Sequence, residues 1–64
     1  MKTTSDFKIN DLVTFDAEGH TKKVTGKIIE LYGYSQEHEG YTYDMVAECI
    51  QTGDCFYILS ETLK

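Results

Sequence analysis

Apolar and polar positions alternate along residues 12–16, with Val13 and Phe15 on one parity and Thr14 and Asp16 on the other. This is the period-two signature of a half-buried strand. Asn10-Asp11 supplies a turn ahead of it, so Phe7 and Ile9, apolar but cut off from the strand, are expected to fold over one end of the core as a lid. Glu18-Gly19 marks the next turn. Residues 22–34 are then rich in β-branched and aromatic types, but their alternation changes phase: Val24, Gly26 and Ile28 share one parity, Ile29 and Leu31 the other. A strand that feeds both parities inward is bent or bulged, and Gly26 is where the bend is expected.

The polar run 35–40, SQEHEG, has the composition of a solvent-facing loop. The next strand, residues 41–51, places Tyr43, Met45, Ala47 and Cys49 on one face and Thr42, Asp44 and Glu48 on the other, with Val46 and Ile50 adding apolar surface to that second face. Gln51-Thr52-Gly53-Asp54 reads as a tight hairpin turn. With Thr52 and Gly53 at its centre, Ile50 pairs with Cys55, Cys49 with Phe56 and Ala47 with Ile58, which gathers Met45, Ala47, Cys49, Phe56 and Ile58 on one apolar face. Residues 60–63 form one short helical turn, after which Leu63 returns to close the core. No window holds an i, i+3, i+4, i+7 apolar stripe, so no ordinary helix is expected.

A chain of 64 residues with 41% hydrophobic side chains makes one globular domain, here residues 7–64 behind a flexible N-terminus, 1–6. Such a chain hides only about 60% of its unfolded surface, which leaves no room for a deep pocket and a net stability of a few kcal/mol. The start lacks the apolar stretch of a signal peptide and no run approaches a membrane span, so a cytoplasmic protein is expected. The net charge is −5 and arginine is absent, which removes the usual tools for binding phosphate and reading guanine. Lys22, Lys23 and Lys27, with His20 beside them, form the basic cluster. Cys49 and Cys55, on opposite faces in the expected register, are expected to be free thiols.

The element order, together with ND-x-V-x-F at residues 10–15, GKIIE at 26–30, YDMV at 43–46 and FYILSETL at 56–63, resembles the small SH3-like barrels, in particular KOW-like, Tudor-like and short bacterial or phage proteins. That resemblance implies an all-β, five-stranded barrel with one short 3-10 turn near the C-terminus. LYGY at residues 31–34 is similar to the ALYDY motif of proline-binding SH3 domains only superficially. It falls at the end of the second strand, and the tryptophan of a proline groove is absent.

Catalysis is not expected, because the histidines, His20 and His38, stand in turns remote in sequence from either cysteine and no pocket excludes water. Metal binding at residues 37–39 is disfavoured, since consecutive loop residues do not converge on one ion, and the five-residue gap between the cysteines is not a zinc spacing. No cofactor is expected. The candidate binding surface is acidic and tyrosine-rich: Tyr32, Tyr34 and Tyr41 flank a loop bearing Glu37 and Glu39, with Glu30, Asp44 and Glu48 on the same hairpin. Carboxylates with exposed aromatic rings suit a basic protein surface, through charge complementarity and cation–π contact. The expected function is thus non-catalytic protein binding, with a phage-type inhibitor or nucleic-acid mimic as one form of it. The alternative is nucleic-acid binding through Lys22, Lys23 and Lys27. An exposed strip of Val46, Ile50 and Tyr57 would turn a monomer into a weak dimer.

Overall fold

The computed structural model describes residues 3–17, 19 and 21–63; Glu18 of the expected Glu18-Gly19 turn and His20 lie outside the described residues. Four antiparallel strands, β1 (Leu12–Phe15), β2 (Val24–His38), β3 (Tyr41–Cys49) and β4 (Cys55–Ile58), pair in chain order as one sheet. The sheet curls into a half-barrel. Short 3-10 turns occupy Thr4–Asp6 and Ser60–Thr62, the second at the place expected. Among the described residues there is no fifth strand.

The curl brings one parity of each strand onto a common core. Val13 and Phe15 of β1, Val24 and Ile28 of β2, Met45, Ala47 and Cys49 of β3, and Ile58 of β4 are buried together with Leu63. Phe15 meets Phe56 edge-on with ring centroids 5.5 Å apart, so side chains link the two outer strands of the sheet. Of the expected lid, Phe7 packs against this core while Ile9 stays exposed, because a turn centred on Ile9 and Asn10 intervenes: the Asp11 amide donates to the Lys8 carbonyl (3.1 Å) and Asn10 takes φ 78°.

β2 is irregular, but not where glycine predicts. Gly26 sits in unbroken ladder opposite Val13 and Cys49. Its function is space: a Cβ there would meet the Ala47 Cβ at 3.1 Å and the Phe15 ring at 3.3 Å. The first register shift falls at Ile29, an extra residue between the pairs Ile28↔Ala47 and Glu30↔Val46. This bulge explains the change of phase in the sequence. A larger one follows, where residues 32–35 face Asp44 alone before pairing resumes at Gln36↔Tyr43.

Two further expectations need correction. The run 35–40 is not a loop: β2 continues to His38, and only Glu39 and Gly40 turn, with φ 50° and 84°. Positive φ at both central residues defines the two-residue turn whose twist matches a hairpin, so the polar run is the outgoing strand of a hairpin arm, with Ser35, Glu37 and Glu39 exposed and Gln36 half-buried. The β3–β4 register also differs, with Ala47 opposite Phe56 and Met45 opposite Ile58. The loop is two residues longer than a tight turn: the Cys49 amide donates to the Asp54 carbonyl (2.7 Å), and the Gly53 amide, at a residue with φ 81°, donates to the Cys49 carbonyl (2.9 Å). A displacement of two residues leaves every side chain on its expected face. Cys49 is buried, Cys55 exposed, and both thiols are free.

Candidate functional site

The eight residues of the expected acidic and aromatic surface separate into groups with different work. Asp44 is structural. Placed alone against the four-residue bulge, its carboxylate accepts from the Ser60 backbone amide (2.8 Å) and the Ser60 hydroxyl (2.6 Å), and so anchors the C-terminal 3-10 turn to β3. Glu48 lies half-buried in the ladder directly opposite Lys27, where cross-strand charges offset one another. Glu30 accepts a hydrogen bond from the Tyr32 hydroxyl.

Tyr32 is not an open ring. Its edge meets Tyr43 (centroids 5.9 Å apart), Tyr43 meets Tyr57 (4.7 Å), and Tyr57 lies against His38 of the arm (4.4 Å). Tyr57 and Val46 are cross-strand partners and share the second face of the sheet. Val46 is only 5% exposed there, so the expected strip of Val46, Ile50 and Tyr57 is interrupted at its centre. The run of rings ties the arm to β4. Its members Tyr43, Tyr57 and His38 were not legible as a unit. The signal lay in Glu39-Gly40, which, read as a two-residue turn, makes Tyr41 the partner of His38 and brings the arm back alongside β3.

The hydrogen bond to Glu30 and that residue's negative charge push the Tyr32 hydroxyl up to about 12. A phenol raised above its unfolded value stabilises the fold fully below about pH 10, and that contribution is lost as pH rises toward 12. In a spectrophotometric titration Tyr32 should therefore ionise in a late step near pH 12, and Tyr32→Phe should remove that step. A late step that survives the substitution would place the effect elsewhere.

What remains open to a partner is the tip of the arm and the bulge at its base. Glu37, Glu39 and Tyr41 are exposed, Tyr41 to 63%, and Tyr34 stands out of the bulge at 74%. The sequence around them is one-signed: from Ile28 to Leu63 it holds Glu30, Glu37, Glu39, Asp44, Glu48, Asp54 and Glu61, and no lysine or arginine.

Beside the arm runs a groove of about 780 Å³, lined by Phe15 and Asp16 on the β1 side, by Cys55 and Tyr57 on the β4 side, and by His38 and Thr42 of the arm. A domain of this size was expected to lack such a space. It exists because β1 and β4 are linked by aromatic side chains rather than by a backbone ladder. The lysines expected to form a nucleic-acid surface are each placed near an acid or alone: Lys23 lies 3.3 Å from Asp16, Lys27 faces Glu48 across the ladder, and Lys22 is exposed in the connection.

No described helix is long and apolar enough to cross a membrane. Comparison with protein-family models, with curated proteins and with solved structures gives no match for this chain.

Proposed function

We propose that this protein is a non-catalytic binding module of the small SH3-like barrel type, cytoplasmic and of bacterial or phage character, that engages a basic protein surface with its β2–β3 arm. The observation that carries this reading is the arm itself. A two-residue turn projects Glu37, Glu39 and Tyr41 into solvent, within a stretch of sequence, Ile28 to Leu63, that holds no lysine or arginine. Like-signed carboxylates beside an exposed ring favour cationic partners and repel acidic ones. An inhibitor that occupies the DNA-binding face of another protein, as a nucleic-acid mimic, is one form of this activity.

The test is affinity capture with the wild-type protein and with a Glu37→Lys, Glu39→Lys, Tyr41→Ala variant. Basic partners held by the wild type should be released by raised salt and absent from the variant. Retention of every partner by the variant would overturn the reading. Salt-dependent binding of single- or double-stranded nucleic acid would favour the alternative at Lys22, Lys23 and Lys27.

A further inference from the structure

We infer that the groove beside the arm takes an extended, lysine- or arginine-bearing peptide that adds as a strand to the outer edge of β4. This inference rests on the charge reading above and specifies what the partner presents. Backbone geometry supplies the first support. The Cys49 amide bonds the Asp54 carbonyl, and antiparallel ladders alternate between bonded and non-bonded pairs. Ala47↔Phe56 and Met45↔Ile58 are therefore bonded pairs, and the amides and carbonyls of Cys55 and Tyr57 turn away from β3. Both residues line the groove, and among the described residues no strand pairs with β4 on that side. An outer strand with outward-facing donors and acceptors is a template for strand addition.

The surroundings of the groove select the occupant. Phe15, Ile58 and Leu63 line it from the core side, which suits apolar residues at alternate positions of the incoming strand. Thr42 and His38 line the arm side; Glu37 is the ladder partner of Thr42, and Glu39 follows His38. Asp16 lines the groove too, but 3.3 Å from Lys23, which also lines it; Glu37 and Glu39 are exposed beside the groove rather than in its wall, and basic side chains at the remaining positions of the strand would meet them at the rim. A second copy of this chain is disfavoured, because the segment from Ile28 to Leu63 would bring acids against acids. β4 spans four residues, so the recognised segment is about four residues long, about 14 Å at about 3.4 Å per residue.

The probe is a nonapeptide of alternating lysine and valine, with two counterparts, one N-methylated at every valine and one at every lysine. N-methylation keeps the charge and removes strand donors from one edge. Titration into labelled protein should shift the amide signals of Cys55 and Tyr57 most, and one of the methylated peptides should bind about tenfold more weakly, the equivalent of two lost hydrogen bonds. Cys55→Pro, which removes one outward amide without touching the β3 ladder, should weaken the unmodified peptide about threefold, the equivalent of one lost hydrogen bond. Equal binding of all three peptides would overturn strand addition while leaving charge recognition by the arm intact. So would failure of the unmodified peptide to bind while the capture experiment still yields basic partners. Loss of both would remove the two readings together.

Discussion

Ile28→Ala should leave the protein largely unfolded at 25 °C. Ile28 is fully buried at the centre of the curl, between Asp11 of the β1 side, whose carbonyl accepts its amide (2.9 Å), and Ala47 of β3. Truncating a buried isoleucine costs about 2–5 kcal/mol, because the lost transfer free energy is joined by the cavity left behind. The cavity here has little chance to collapse. Its walls are strands fixed in ladder on both sides, and Met45, also fully buried, is held by its own pairing with Ile58. A domain of this size holds only a few kcal/mol in total, so the change exceeds or equals the reserve. Urea unfolding followed by circular dichroism measures it; an unchanged midpoint would mean that the core is centred elsewhere.

Asp44→Ala should destabilise by about 2–3 kcal/mol, as expected when charge-assisted bonds are lost and buried donors are left without partners. Ser60 is 1% exposed, and the Asp44 carboxylate accepts from both its amide and its hydroxyl. Asp44→Asn retains one acceptor oxygen and should recover part of the loss. Ser60→Ala should cost less than Asp44→Ala, since it removes one donor together with its need. A double-mutant cycle between the two positions isolates their coupling. An Asp44→Ala protein as stable as wild type, yet deficient in partner capture, would return Asp44 to the binding surface.

The difference between the expected and observed roles of Asp44 shows what local pattern can and cannot resolve here. Parity along β1, β3 and β4 identifies the core faces, because a half-buried strand writes its burial in period two, and even the two-residue error at the 50–53 loop leaves those faces intact. Polar composition failed at residues 35–40, since the side chains that turn inward there, Gln36 and His38, are themselves polar, so the run carries no apolar periodicity and looks like a loop. The phase change at Ile28 and Ile29 announces a bulge but not its place. Gly26 drew attention through its flexibility, whereas the structure uses its missing Cβ to admit Phe15 and Ala47. Asp44 and Ser60 are sixteen positions apart, and their contact follows from the β3–β4 register: one step beyond Met45↔Ile58 sets Asp44 opposite Leu59, beside Ser60, whereas the register expected from a two-residue turn sets it opposite Glu61. Of the candidate surface, Glu37, Glu39, Tyr34 and Tyr41 were legible as exposed. The ring series through Tyr32, Tyr43, Tyr57 and His38 was not, because it joins three strands.

The four-against-one mismatch at residues 32–35 separates β2 into two ladders that do not share a register: 26–31 with 45–49 below it, and 36–38 with 41–43 above. Pairs can be added at the tip beyond His38↔Tyr41 without shifting the register of the half-barrel, whereas Tyr32 and His38, through Tyr43 and Tyr57, fix the base of the arm. The length and sequence of the tip beyond His38 are thereby decoupled from the register of the sheet below.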